Sequence, residues 1–192
     1  MSATNRQMQY NMRITAENAL AIVIDYQEKI LPAMSDKENL VKRSEILLKG
    51  LKLLEVPMIL TTHYAKGLGN NIDTIVSAME YEETVYDKNT FSAYETEEVR
   101  RKLDESGKKQ IIICGIETHI CVLQTAIDLK AAGYEPIIVA DCVDSRKPVD
   151  KEYGLKRAMQ EGILLTTTEQ ILFELTRRAQ GSVFKQISAL IR

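Results

Sequence analysis

Cys121 is the strongest candidate nucleophile in this 192-residue chain. It follows Gly115-Ile116-Glu117-Thr118-His119-Ile120, where an apolar run gives way to a helical pattern. A thiol in the first turn of a helix feels unpartnered backbone amides and the positive end of the dipole, both of which favour thiolate. The competing role is that of a small core residue, and Cys114, inside the run Ile111–Cys114, and Cys142, after Asp141, read that way. Asp25 closes the run Ala21–Ile24. A carboxylate ending a buried strand needs either loop amides to bind or a proton to move. His63 and His119 are the two histidines of the chain. The first lines a site or packs against Tyr64; the second is a pocket wall or a partly exposed residue. Lys88 is one of many lysines and by itself reads as solvated. Gly67-Leu68-Gly69 is not a dinucleotide fingerprint, and the chain has no P-loop, HExxH or GxSxG.

These side chains need a frame, and the apolar pattern supplies one. Leu20–Ile24, Pro57–Leu60, Gln110–Cys114 and Pro136–Ala140 read as buried strands, with Ile163–Thr166 a weaker fifth. Continuous apolar character suits a parallel sheet covered on both faces. Between the strands lie helical patterns. Ser35 with Glu38 and Thr167 with Gln170 look like capping boxes, Thr96 and Thr118 like caps, Pro148 like a first-turn residue and Ser182 like the start of a last amphipathic helix. The alternation predicts an α/β fold: a three-layer α/β/α sandwich, Rossmann-like, with a mostly parallel sheet of about five or six strands. Residues 1–192 form a single domain, with 1–17 an N-terminal extension. The least regular stretch, Tyr64–Tyr94, is expected to be an active-site or interface loop region. Ligands of open parallel sheets bind beyond the carboxyl ends of strands. That rule selects Asp25-Tyr26-Gln27, Thr61-Thr62-His63, Gly115 to Cys121, Asp141 and Thr166 to Thr168.

Composition removes other classes. Twenty-five Lys+Arg against 27 Asp+Glu give a net charge of −2 and no basic field for nucleic acid. The apolar runs are too short to cross a bilayer, and the N-terminus has no continuous apolar segment of a secretory signal. Three cysteines without a CxxC, and only two histidines, argue against a disulfide framework or a thiolate zinc site and for a cytoplasmic setting. No cofactor, nucleic-acid partner or membrane is expected; a small-molecule substrate and a homo-oligomer are.

Three segments resemble the isochorismatase-like cysteine hydrolases: Ala21-Ile22-Val23-Ile24-Asp25-Tyr26-Gln27, Lys88-Asn89-Thr90-Phe91-Ser92-Ala93-Tyr94 and Cys114-Gly115-Ile116-Glu117-Thr118-His119-Ile120-Cys121-Val122-Leu123-Gln124-Thr125. The likeness covers roughly residues 18–192. Leu53–Pro57, Tyr64–Gly69 and Asp141–Arg146 look like the subgroup called isochorismatase domain-containing proteins. The resemblance implies a catalytic triad of Asp25, Lys88 and Cys121, an oxyanion hole from the backbone N–H groups of Glu117 and Cys121, and a cis peptide between Ile116 and Glu117. It implies an amidohydrolase that cleaves a C–N bond of a small amide or ureido compound through a thioester-type intermediate. Alternatives are hydrolysis of an ester, or a binding or scaffold protein that keeps the fold. Metal-binding relatives carry an Asp-x-His with a further His after the second strand; here that place reads Thr61-Thr62-His63-Tyr64. A three-ligand zinc set is not available, so Gln27, His63, Tyr64, Phe91 and His119 are read as substrate-pocket lining.

Overall fold

The computed structural model describes residues 13–80 and 84–192. Its frame is a six-stranded sheet of β1 (Ala19–Ile24), β2 (Met58–His63), β3 (Tyr86–Lys88), β4 (Gln110–Ile116), β5 (Glu135–Asp144) and β6 (Leu164–Thr166). The order is β3-β2-β1-β4-β5-β6 and every pair is parallel. Around it lie α1 (Lys37–Leu53), α2 (Ala65–Leu68), α3 (Asp73–Met79), α4 (Glu97–Ser106), α5 (Leu123–Ala131), α6 (Pro148–Gln160), α7 (Thr168–Thr176) and α8 (Gly181–Ile191).

Strand side chains alternate between faces, and β1 shows what that does here. Ala19, Ala21 and Val23 pack with Leu47 and Leu48 of α1, Ile75 of α3, Ile171 and Leu172 of α7 and Ile187 of α8. Leu20, Ile22 and Ile24 pack with Val99 and Leu103 of α4, Leu129 of α5 and Ala158 of α6. Two cores therefore sandwich the sheet, which is why its strands read as unbroken apolar runs.

Four expectations need correction. The stretch 64–94 is more regular than its sequence implies, holding α2, α3 and the edge strand β3. Ser35 does not cap α1: its hydroxyl donates to Asp144 Oδ1 at 2.8 Å, and the Asp36 amide donates to Asp144 Oδ2 at 2.8 Å. A buried carboxylate is the stronger acceptor and takes both donors. Thr118 is not a cap either; it is the first residue of a π turn whose N-cap is Glu117, and its hydroxyl is buried without a hydrogen-bond partner. Residues 13–17 of the expected extension belong to the packed body. Ile14 is in the core, and the Ile14 and Thr15 amides donate to Glu174 and Gln110 side chains. Residues 1–12 lie outside the described residues. Thr167 does cap α7, accepting from the Gln170 amide.

Candidate active site

The topological switch point of this strand order lies between β1 and β4, where a crevice opens beyond the strand ends. Asp25 follows β1 there, in the left-handed region with φ +56°, a conformation aspartate tolerates better than most residues. Its amide donates to the Thr61 carbonyl at 3.3 Å. The Thr61 hydroxyl donates to Oδ1 at 2.8 Å. The second oxygen, Oδ2, lies 2.7 Å from Lys88 Nζ.

Lys88 ends β3, where pairing with His63 fixes its position. Its side chain is fully buried. Besides meeting Asp25, Nζ donates to the carbonyls of Thr90 and Phe91 at 3.2 Å each and lies 3.6 Å from Cys121 Sγ. The loop supplying those carbonyls is tied down in turn, since the Ala93 amide donates to Thr125 Oγ1 at 2.8 Å. The ammonium is thus caged by carbonyls, a carboxylate and a sulfur, acceptors that offset the cost of burying it.

Cys121 sits in the π turn Thr118–Val122, which runs into α5. The Ile120 and Val122 amides both donate to the Glu117 carbonyl. The peptide between Ile116 and Glu117 is cis, as the family resemblance implied. Just before it, Gly115 pairs with Ile24 and has φ +126°. A Cβ there would stand 2.1 Å from the Ile24 carbonyl oxygen, so only glycine lets β4 approach the strand that carries Asp25. From the other side, a Cβ on Gly154 of α6 would come within 3.1 Å of His119 Cα.

The features that favour thiolate in the sequence are opposed in the folded site. The Cys121 thiol is pushed up to about 12, first by burial, then by the Asp25 carboxylate; Lys88 opposes with a smaller effect. Burial and the neighbouring carboxylate thus favour the thiol form of Cys121, and Asp25 is the acceptor beside it. Glu117 is buried, and its carboxylate takes the Arg146 amide at 3.0 Å and Arg146 Nε at 3.1 Å. That contact holds the Arg146 guanidinium above its ordinary value.

The pocket residues divide. Gln27 does not line a pocket: it is wholly buried, Nε2 donates to the His63 and Gly69 carbonyls, and Oε1 accepts from the His63 amide. An amide so fully engaged braces the end of β2 against the 64–69 segment. His63 stacks on Phe91 with centroids 5.6 Å apart rather than on Tyr64, whose ring covers Gly67. Tyr64 and Phe91 are each 51% exposed. His119 Nδ1 meets Ser145 Oγ at 2.9 Å. Cys114 and Cys142 are buried free thiols of the core. Among the described residues, no three His, Cys, Asp or Glu side chains are grouped to hold a metal ion. The same residues contain no helix long and apolar enough to cross a membrane.

Comparison with known proteins agrees with this fold. The isochorismatase domain model matches residues 19–170. Isochorismatase domain-containing protein 2 of Danio rerio is 36% identical over 93% of this chain and 89% of its own. A secreted isochorismatase effector of Phytophthora sojae is 33% identical over 94% of this chain and 87% of its own. The structure of the MAR1 ribonuclease of Caenorhabditis elegans superposes with a TM-score of 0.88 at 31% identity, covering 94% of this chain and 92% of that one. The chain belongs to the isochorismatase family of hydrolases.

Proposed function

We propose that this hydrolase is a cysteine amidohydrolase acting on a C–N bond of a small amide or ureido compound, with Asp25, Lys88 and Cys121 as its catalytic triad. The observation that carries the reading is the buried contact of the three groups, Lys88 Nζ lying 2.7 Å from Asp25 Oδ2 and 3.6 Å from Cys121 Sγ. In the reaction Asp25 takes the thiol proton as sulfur attacks the carbonyl carbon. The S–C bond forms, and the carbonyl oxygen takes negative charge beside the backbone N–H groups of Glu117 and Cys121. The C–N bond then breaks, and the amine leaves with the proton Asp25 had taken. Water attacks the thioester next, losing its proton to Asp25, which returns it to the departing sulfur. Lys88 stays protonated, offsetting first the thiolate and then the Asp25 charge. His63, Tyr64, Phe91 and His119 form the pocket wall in this reading. It takes no metal or cofactor, acts in the cytoplasm and works as a homo-oligomer, which light scattering giving a monomer mass would refute.

The test is intact-mass detection of an acyl adduct on Cys121 with a panel of amides, ureido compounds and esters. Turnover of amides with transient acylation, lost in Cys121→Ala, supports the proposal. Turnover of esters alone moves the bond class, and turnover of nothing, with an inert Cys121, favours a scaffold. One observation favours a second reading, RNA cleavage: the C. elegans relative bears the name ribonuclease. RNA degradation by wild type that Cys121→Ala abolishes would replace the amide reading.

A further inference from the structure

The sheet edge carries a second concavity, on the face away from Cys121. Register partners share a face, and neighbours along a strand alternate. Thr61 pairs with Tyr86 and His63 with Lys88, so these side chains stand on the face that also holds Cys121. Thr62 and Asp87 pair with each other and stand on the opposite face. There β2, β3 and α3 border a cleft of about 300 Å³, lined by Thr62, Asn70, Asn71, Val76, Val85 and Asp87 among others. Asn71 is 6% exposed. Its Nδ2 donates to the Thr61 carbonyl at 3.0 Å. That contact fixes the orientation of the amide, because two facing oxygens would repel. Oδ1 is left buried with no partner. Asp87 Oδ1 takes the Thr62 hydroxyl at 3.0 Å and the Ala65 amide at 2.8 Å; among the described residues, no donor reaches Oδ2. The Thr62 oxygen, having donated its proton, keeps lone pairs to accept with. The cleft thus combines one negative charge and three open acceptors with the apolar side chains of Val76 and Val85.

We propose that this cleft is a second binding site, for a small primary amine held as its ammonium ion. The three N–H donors of an ammonium match the three acceptors, Asp87 Oδ2, Asn71 Oδ1 and the Thr62 hydroxyl. Asp87 makes one of those bonds charge-assisted. A short alkyl stem lies on Val76 and Val85. An anion would face the Asp87 carboxylate, and an alcohol, with one O–H, would leave two acceptors unmet. Occupied, the cleft ties β3, the strand that carries Lys88, to Asn71. The Asn71 amide in turn holds the Thr61 carbonyl on which the Asp25 amide also rests. The ligand therefore braces the supports of Asp25 and Lys88 from behind. The site lies apart from Cys121, and the inference does not depend on which bond the enzyme cuts.

The test is a titration of the whole chain with propylammonium at neutral pH, followed by two-dimensional NMR, with propanol and butyrate as the neutral and anionic counterparts. Propylammonium is expected to saturate at millimolar concentration and to shift the Asn71 side-chain amide and the methyl groups of Val76 and Val85. Propanol and butyrate should not saturate. Asp87→Asn keeps an acceptor for Thr62 and Ala65 but loses the charge. It should weaken binding about ten- to a hundredfold, the worth of a hydrogen bond to a charged group. A melting curve taken alongside shows whether that variant is folded, and the wild-type shift map stands without it. Shifts scattered over surface carboxylates, propanol binding as well as propylammonium, no saturation at millimolar ligand, or a folded Asp87→Asn protein that binds like wild type would each overturn the site. None of these outcomes bears on the amidohydrolase reading.

Discussion

Lys88→Met is the perturbation with the most definite energetic signature. Methionine matches the length of the lysine stem and removes its charge, leaving Asp25 with the Thr61 hydroxyl but no cation. Both partners are almost completely buried, Lys88 at 0% and Asp25 at 4% side-chain exposure, and their charged atoms are 2.7 Å apart. Solvent screening does not soften the loss. Removing one member of a buried ion pair typically costs about 3–5 kcal/mol. At about 2–4 °C per kcal/mol for a domain of this size, Tm falls by roughly 6–20 °C. The cost depends on pH with a definite sign. In the variant the unpaired carboxyl binds a proton more tightly folded than unfolded. The unfolded state therefore releases protons, and stability rises as pH falls toward the ordinary aspartate range. Urea unfolding at pH 7 and pH 5 should show the deficit shrinking at the lower pH. Asp25→Asn combined with Lys88→Met removes both charges and should recover much of the loss. A Lys88→Met protein as stable as wild type at pH 7, or one whose deficit ignores pH, would refute the buried pair and the mechanism built on it.

Three further outcomes follow from the same geometry. Gly115→Ala forces a Cβ to within 2.1 Å of the Ile24 carbonyl; thermal melts should show a loss of about 2–5 kcal/mol from clash and left-handed strain together, and an unchanged Tm would contradict the close approach. Thr61→Val removes the hydroxyl that orients Asp25; steady-state assays should show kcat down about tenfold, the effect of one hydrogen bond to a charged group, with the fold intact by circular dichroism. Amide hydrolysis should survive exhaustive dialysis against EDTA; activity lost there and restored by Zn²⁺ would show a metal site that two histidines do not suggest.

The sheet could be read from the sequence because both of its faces are covered, leaving continuous apolar strands such as Ile111–Cys114. Asp25 stands out by the same logic, as a polar group ending such a strand, and Cys121 as a thiol in the first turn of the helix that follows one. Lys88 does not. Its strand is Tyr86-Asp87-Lys88, three residues at the sheet edge with no apolar run, so only the resemblance singled it out. The π turn has no sequence signature either, and Thr118 in front of a helical pattern looks like an ordinary cap. Thr61 lies at a strand end, but nothing local says that its hydroxyl serves Asp25. Position alone cannot show that the Gln27 amide is consumed by the backbone of His63 and Gly69. The balance at Cys121 is not legible in sequence, because a helix start and a lysine are visible there, whereas burial beside a carboxylate is not.

The shortness of β3 has a consequence for how activity is lost. Asp25 and Cys121 hang from β1 and β4, central strands that open only when the domain unfolds. Lys88 hangs from an edge strand with three paired positions. Such edges open locally at far less than the global free energy. Opening β3 would withdraw the ammonium from the thiol and Tyr86 from the rim of one core, while the rest of both cores remains packed. Under mild heat or denaturant the enzyme should therefore lose turnover before it loses its fold, and regain it on return without refolding. Inactivation midpoints and unfolding midpoints are then separate properties of this chain. A substitution such as Thr125→Val, which frees the loop around the Lys88 ammonium, should widen the gap between them.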